Sequence, residues 1–164
     1  MQILKMGDEV LRRNCLPIEH VGEDVKALVS EMFVTLEKSG GIGLAAPQVG
    51  YNIRLFIVKL DDMEGMVFIN PQIIQTSEAV CTMEEGCLSI PKIYEKVSRP
   101  KELTLQYVDI NGKKQLLCAS ALLARVIQHE NDHLNGVLFL DRIEEAKREK
   151  AIAKFEKIMR RVRG

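Results

Sequence analysis

The segment SALLARVIQHENDHLN, residues 120–135, constrains the fold more than any other part of the chain. At helical spacing its side chains fall on two adjacent faces, with Leu122, Val126, His129 and His133 on one and Leu123, Ile127, Glu130 and Leu134 on the next. Almost no solvated face remains, so the pattern predicts a central, buried helix. Burying two histidines and a glutamate costs several kcal/mol unless they are paired or bound to a metal. The segment therefore predicts a polar site inside the core.

The spacing of His129, Glu130 and His133 indicates the chemistry of that site. Four residues on a helix correspond to roughly 40° of rotation and about 6 Å of rise, so both imidazoles point at one place. This is the H-E-x-x-H arrangement, in which two histidines bind a metal and the glutamate is the general acid/base. The alternative is a chance pair of core histidines beside a surface glutamate. It is disfavoured because the pattern uses two of the three histidines in the chain.

A third metal ligand is expected, because catalytic zinc-type sites usually have three protein ligands. The longer pattern H-E-x-x-H-x-x-G-x-x-H matches through Gly136 but ends at Phe139, which cannot bind a metal. A glutamate from a following helix, Glu149 or Glu156, lies among lysines and arginines that indicate a solvated surface. Cys87, in the turn-rich stretch EEGCLSIP, is the third candidate.

The local sequence does not rank a ligand role for Cys87 above that of a nucleophile paired with a histidine. Cys15, Cys81 and Cys118 are predicted to be small buried apolar residues. His20 is predicted to be a surface residue in a polar loop. The four cysteines show no paired spacing, so we expect reduced thiols.

The order of elements predicts an α+β fold, with short, mostly antiparallel strands packed around the central metal-binding helix and a helix at the C-terminal end. Predicted helices cover residues 23–38, 120–135 and 144–162, and predicted strands cover 53–60, 66–70, 103–110 and 114–118. Pro71 is expected to end the second strand. Asn111-Gly112 is a strong hairpin signal between the last two.

Chain length and charge limit the number of domains and the kinds of partner that are expected. The 164 residues suit a single catalytic domain over 1–164. A formal net charge of zero gives no reason to expect nucleic acid as a partner of the whole molecule. Residues 142–164 nevertheless carry nine basic and four acidic side chains. No signal peptide or membrane-spanning run is evident, so a cytoplasmic protein without membrane contact is expected.

Three segments together resemble the peptide deformylase family. They are GIGLAAPQ (41–48), EGCLS (85–89) and QHENDH (128–133), and they occur in the family's order. The resemblance extends over most of the chain and thins after about Asp141. Asn131 departs from it, because the family usually has an apolar residue there, which concerns local packing rather than mechanism.

The resemblance implies removal of the N-formyl group from the starting methionine of new polypeptides, with release of formate. It implies one divalent metal, typically ferrous iron, with zinc, nickel or cobalt as alternatives. The family's metal ligands correspond to Cys87, His129 and His133, and its catalytic acid/base corresponds to Glu130. Its oxyanion donors, which stabilise charge on the formyl oxygen, correspond to the Gln48 side chain and the Leu88 backbone N–H.

The resemblance also implies where substrate binds. Ile42, Leu88, Ile127 and His129 would line the methionine pocket. Arg99 either bonds the peptide backbone or is a solvated charge, and both interpretations stay open. Glycines at Gly41 and Gly43 would let the nascent peptide add as an extra strand.

Alternatives of other classes also remain. A zinc endopeptidase would use the same helix, and a non-enzymatic binding module would hold zinc with four ligands. The basic C-terminal helix is either solvated or a contact to the ribosome, where formylmethionyl peptides emerge.

Overall fold

A computed structural model describes all of residues 1–164. Its helices and strands are α1 Glu23–Ser39, β1 Gly43–Ala45, β2 Leu55–Val58, β3 Met66–Thr76, β4 Val80–Cys87, β5 Ile90–Pro100, β6 Glu102–Val108, β7 Lys114–Ser120, α2 Ala121–Leu134 and α3 Glu145–Arg163. Short 3-10 helices cover Glu9–Arg12, Ala46–Val49 and Phe139–Arg142. None of the helices is both long and apolar enough to cross a membrane.

The strands form two antiparallel sheets. One has five strands in the order β1-β2-β3-β6-β7, and the other is the β4–β5 hairpin. Helix α2 contacts β1, β2, β6 and β7 of the first sheet and β5 of the second. The α+β class with a central helix and a C-terminal helix is therefore confirmed, and the cleft between the two sheets is walled by α2.

Three apolar clusters hold these elements together. Helix α2 supplies Val126 and Ile127 to the first, where they pack with Phe56 and Phe68 of the larger sheet. The second lies under α1, whose apolar stripe covers β2. The third joins β5 to α3 through Phe155. Burying one large apolar side chain contributes about 1.5–3 kcal/mol, so each cluster stabilises the elements that it joins, and the first one stabilises α2.

Local signals account for several element ends. Helix α1 ends at Ser39 and is capped by Gly40, whose φ of 73° is the left-handed conformation that glycine adopts without strain. The predicted Asn111-Gly112 turn is present between β6 and β7, with Gly112 at φ 80°. Helix α2 begins one residue later and ends one residue earlier than predicted.

Two strand predictions need correction, and one pair of strands was not predicted. β3 does not end at Pro71 but continues to Thr76, because Pro71 lies in a register shift between Ile69 and Gln72 where no ladder N–H is needed. β2 is shorter than 53–60. The hairpin β4–β5 was not predicted from the sequence, and Cys87 ends a strand rather than lying in an irregular turn.

Candidate metal centre

The two histidines of α2 and the cysteine of β4 converge from opposite sides of the cleft. His129 and His133 lie one helical turn apart, with ring centroids separated by 5.2 Å. Cys87 Sγ lies 3.4 Å from His133 Nε2. One donor atom from each of the three residues lies within 4.8 Å of the other two. The two histidines of the H-E-x-x-H pattern and the candidate ligand Cys87 therefore meet at one point.

His129 is held in place by Glu85, a residue that the sequence analysis did not select. His129 Nδ1 lies 2.8 Å from Glu85 Oε1, which leaves Nε2 as the ring nitrogen available to a metal. A carboxylate behind a metal-binding histidine fixes the orientation and tautomer of the ring. Burial alone would raise the pKa of Glu85, but hydrogen bonds from His129 and Arg99 outweigh burial and hold this pKa well below its ordinary value.

The charge state of the cluster suits a bound cation. Burial and the charge on His129 hold the pKa of His133 well below its ordinary value, so its imidazole is neutral and free to bind a metal. Burial opposes protonation of His129 too, but the nearby Cys87 thiol and the hydrogen bond to Glu85 raise its pKa well above the ordinary value. A thiolate and two imidazoles fit a tetrahedral or near-tetrahedral divalent ion such as zinc or iron.

Glu130 lies beside the three donor residues, almost completely buried. Its Oε1 has no hydrogen-bond partner in the protein. Burial raises the pKa of Glu130 to about 7, with the His129 charge opposing the rise. A carboxyl with this pKa exchanges a proton readily at neutral pH, as a general acid/base requires.

Gly43 makes room for Glu130. A Cβ at Gly43 would lie 2.6 Å from Glu130 Oε2 and 2.9 Å from Val126 Cγ1. A side chain there would have to displace Glu130 or Val126, so glycine suits the close approach of β1 to α2. At Gly41, a Cβ would lie 2.9 Å from Leu88 Cδ1. Both glycines therefore bring the walls of the cleft together.

Gln48 is fixed at both ends of its amide. Its Oε1 accepts from the Ala45 N–H at 2.9 Å, and its Nε2 donates to Ser89 Oγ at 3.1 Å and to Cys87 Sγ at 3.6 Å. Because the amide oxygen is already bonded, the amide N–H groups are the part of Gln48 that faces the cluster. Leu88, in the turn that follows Cys87, lines the same cleft.

A buried network of charges extends from Glu85 away from the cleft. Glu85 accepts from Arg99 at 2.6 and 2.9 Å and from Arg125 at 2.7 Å. Asp132 accepts from Arg99 at 2.9 Å and from Arg142 at 2.7 Å. Because buried charges are costly unless fully paired, this network ties both strands of the hairpin to α2.

The roles of Glu85, Asp132 and Arg125 were not predicted from the sequence. Arg125 carried a usable signal, because it is a charged residue in a helix with almost no solvated face. Its guanidinium also donates to the backbone oxygens of Val97 at 2.8 Å and Cys81 at 2.7 Å. It therefore braces both strands of the hairpin from α2.

A cleft of about 450 Å³ opens in front of the cluster. Most of the residues selected from the sequence line it, namely Gly41, Ile42, Gly43, Gln48, Cys87, Leu88, His129 and Glu130. The exposed side chains of Leu122 and Tyr94 lie at its rim. The cleft therefore gives a ligand access to the cluster and to the proposed acid/base together.

Two expected substrate residues do not line this cleft. Ile127 is fully buried in the first apolar cluster, and Val126 and Arg125 occupy the cleft wall of α2 instead. Arg99 is 4% exposed, so the expectation of a solvated charge is wrong. Its guanidinium is engaged by Glu85 and Asp132 behind the cleft, which does not bring it to a peptide in this structure.

The structure also shows where the other candidates for the third metal ligand lie. Glu149 and Glu156 are exposed on α3, away from the cluster. Phe139 is buried, and its ring stacks on His129 with centroids 6.0 Å apart. Of the three sources considered, Cys87 alone joins the two histidines.

Comparison with known proteins decides the family. The sequence model described as polypeptide deformylase matches residues 1–149. The chain belongs to the peptide deformylase family. It is 48% identical over 157 residues to the peptide deformylase of Treponema pallidum (strain Nichols), covering 94% of this chain and 95% of the relative. It is 45% identical over 148 residues to that of Synechocystis, covering 88% and 79%.

Solved structures agree in fold. The crystal structure of a peptide deformylase from Legionella pneumophila superimposes with a TM-score of 0.92 at 38% identity, covering 97% of this chain and 95% of that one. The peptide deformylase from Synechococcus elongatus, in complex with actinonin, superimposes with a TM-score of 0.90 at 41% identity, covering 93% and 86%.

The expected activity is therefore confirmed. Peptide deformylases are metal-dependent hydrolases that remove the N-formyl group from the N-terminal methionine of newly synthesised polypeptides, releasing formate. The alternatives of a zinc endopeptidase and of a non-enzymatic binding module are set aside.

Proposed function

We propose that Cys87, His129 and His133 hold the metal on which deformylation depends. The observation that carries this proposal is the convergence of one thiol and two imidazoles within 4.8 Å, from a strand and a helix far apart in sequence. We propose Fe²⁺ as the native ion, with Zn²⁺, Ni²⁺ or Co²⁺ able to occupy the site. A borderline-soft set of one sulfur and two nitrogen ligands accepts all four.

A metal held by Cys87, His129 and His133 would polarise the formyl carbonyl and lower the pKa of a water molecule. Glu130 accepts the proton of that water and later returns it to the leaving amine. The carboxyl suits both steps because its Oε1 has no protein partner and its pKa is about 7. A group with an ordinary carboxyl pKa would be a much weaker acid catalyst for the amine.

Gln48 Nε2 and the Leu88 backbone N–H are proposed to donate to the formyl oxygen as negative charge develops on it. The bond from Ala45 N–H to Gln48 Oε1 orients the amide before substrate arrives. Preorganised donors of this kind stabilise the transition state because they need little rearrangement during the reaction.

The peptide itself is proposed to bind along β1. This strand is at the edge of the larger sheet, so its outer side is free to pair with an added strand. Gly41 and Gly43 keep that edge close to the metal cluster. Ile42, Leu88 and His129 are proposed to surround the methionine side chain.

An anaerobic assay with formyl-Met-Ala-Ser tests the proposal, with formate release and bound metal measured on the same sample. Activity should rise in proportion to metal content. Cys87→Ser should lower both together, and formate release by the metal-free protein would contradict the proposal.

The choice of iron has its own test. An Fe²⁺-loaded sample should lose activity in air or peroxide through oxidation of the iron or of Cys87, whereas a Zn²⁺-loaded sample should not lose it through the metal. An iron-loaded enzyme indifferent to peroxide would contradict the assignment of iron to this site.

We also propose that α3 contacts ribosomal RNA, and that the enzyme works in the cytoplasm where nascent chains emerge. Basic side chains on α3 are exposed, among them Lys150, Lys154, Lys157 and Arg161. Such contact would weaken steeply as salt increases.

Removing 147–164 would also remove Phe155 from the third cluster, so neutralising these four side chains with glutamine is the cleaner test. Co-sedimentation with ribosomes at low and high salt should fall for that variant. Unchanged binding, with activity on short peptides intact, would leave α3 as a structural helix only.

A further inference from the structure

The residues Ile3 to Met6 lie across the two segments that carry the proposed oxyanion donors. The Leu4 N–H donates to Gln48 O at 2.8 Å, and the Met6 N–H donates to Ser89 O at 2.9 Å. Between them, Lys5 Nζ lies 3.4 Å from Leu88 O. We call residues 3–6 the N-terminal strap.

The strap joins elements that belong to different sheets. Gln48 follows β1 of the larger sheet, whereas Leu88 lies in the turn of the β4–β5 hairpin. The direct hydrogen bonds between the two segments both come from Gln48 Nε2, to Ser89 and to Cys87. That nitrogen is the group assigned to the formyl oxygen. The strap bonds use backbone atoms of Gln48 and Ser89 instead, so they persist while the side chain serves the substrate.

The strap is anchored at both ends. Ile3 packs against the cluster under α1, which Leu88 also contacts. Met6 packs against the cluster that includes Ile90 of β5. Lys5 Nζ also lies 3.0 Å from Ile3 O. Because both ends are fixed to different cores, the strap sets a distance between them.

We propose that the N-terminal strap is a positioning element, and Lys5 a positioning residue, for the oxyanion donors. It holds the Gln48 amide and the Leu88 N–H at the separation that suits the transition state. An error of about 1 Å in such a position costs roughly 100-fold in rate. This inference rests on the roles proposed for Gln48 and Leu88.

A chain that begins at Met6 removes most of the strap and leaves every metal ligand and donor in place. We expect kcat to fall about 10- to 100-fold with KM within about twofold, and metal content unchanged. Full activity of the shortened chain would overturn the proposal.

A point substitution covers the case in which the shortened chain does not fold. Lys5→Met should lower kcat about threefold, the scale of one modest hydrogen bond, and Lys5→Arg should restore it. The matched control is Lys38→Met, an exposed lysine on α1 beside the strap. If Lys5→Met and the control have equal kcat values, the positioning role of Lys5 is wrong.

Combining the shortened chain with Gln48→Ala separates positioning from general stability. In the full chain, Gln48→Ala should cost roughly 100-fold in kcat, the scale of a lost oxyanion donor. In the shortened chain the same substitution should cost much less, because the donor is already displaced. If the combined variant loses kcat by the product of the two separate factors, the positioning role of the strap is wrong. No loss from Gln48→Ala in the full chain would instead overturn the proposed role of Gln48.

Discussion

Helices α2 and α3 both carry charged residues, but they hold those charges in opposite ways. In α2, ten of 14 residues are buried, whereas in α3 only Ala151 and Phe155 of 19 are buried. No charged side chain of α3 makes a hydrogen bond or an ion pair within the protein. Most of these charged side chains are exposed.

In α2 most of the buried charged side chains form hydrogen bonds or ion pairs within the protein. Arg125 and His129 meet Glu85, and Asp132 meets two arginines. Glu130 is the exception, because its Oε1 is unpaired. The difference teaches that charged residues in a helix indicate a site when the helix is buried, because buried charges need partners. In α2 the carboxyl that lacks a partner, Glu130, is the proposed acid/base.

The largest expected effect is on stability and concerns α3. Phe155 is 5% exposed in the third cluster, so Phe155→Ala should lower the free energy of unfolding by about 3–5 kcal/mol. Lys154→Ala, one residue earlier and exposed, should change it by less than about 0.5 kcal/mol. Urea denaturation of both variants measures the two changes in unfolding free energy. Similar losses would contradict the expected difference between a buried and an exposed position of α3.

The next largest effect is expected for Glu130, whose Oε1 has no partner in the protein. Glu130→Gln should lower the rate of formate release by about 100-fold or more, because the amide cannot exchange a proton with water or amine. Metal content should stay near that of the parent enzyme. The matched control is Glu37→Gln, which makes the same chemical change at an exposed position on α1 outside the cleft. A Glu130→Gln enzyme with near-normal turnover would contradict the acid/base role.

The paired charges should act on metal affinity rather than directly on chemistry. Glu85→Gln should weaken metal binding about 10- to 100-fold, because it loosens the orientation of His129. Competition with a chelator measures this, with the neighbouring and exposed Glu84→Gln as the control. Equal affinity in the two variants would mean that Glu85 does not act through His129.

The smallest effect is expected for a partly exposed pair. Asp141 accepts from Arg12 at 2.5 Å and from the Leu138 N–H at 2.8 Å. Although burial raises the pKa of Asp141, these bonds outweigh it and hold that pKa below its ordinary value. The contribution of the pair is therefore present above about pH 4 and is lost as pH falls through the lowered pKa.

Asp141→Asn should accordingly cost about 1 kcal/mol or less of unfolding free energy at pH 7, and the difference should shrink towards about pH 2. Urea denaturation at several pH values measures it, with the exposed Asp61→Asn as the control. A difference that does not depend on pH would show that the carboxylate charge is not what stabilises the pair.

Much of the site could be predicted because its signals are local. The spacing of His129 and His133 depends only on helix geometry, which residues 120–135 specify by themselves. The three motifs identified the family and, with it, Cys87 as the partner of those histidines. The α+β class followed from the alternation of short strands with helices.

Other features depend on contacts between distant residues. Ile127 and Val126 lie about 100° apart on α2, and both are apolar, so only the docking of the sheet decides which faces the cleft. Arg99 resembles a surface charge until β5 pairs with β4 and places it against Glu85.

By itself, the sequence determined the family, the central helix and the residue types that meet at the candidate metal centre, because periodicity and motifs are properties of neighbouring residues. Only the tertiary structure decided that Glu85 orients His129 from 44 positions away, that Gly43 leaves space for Glu130, and that the strap crosses from one sheet to the other. These features arise when the two sheets close on α2, and their physical basis is the pairing that burial demands of charges and backbone groups.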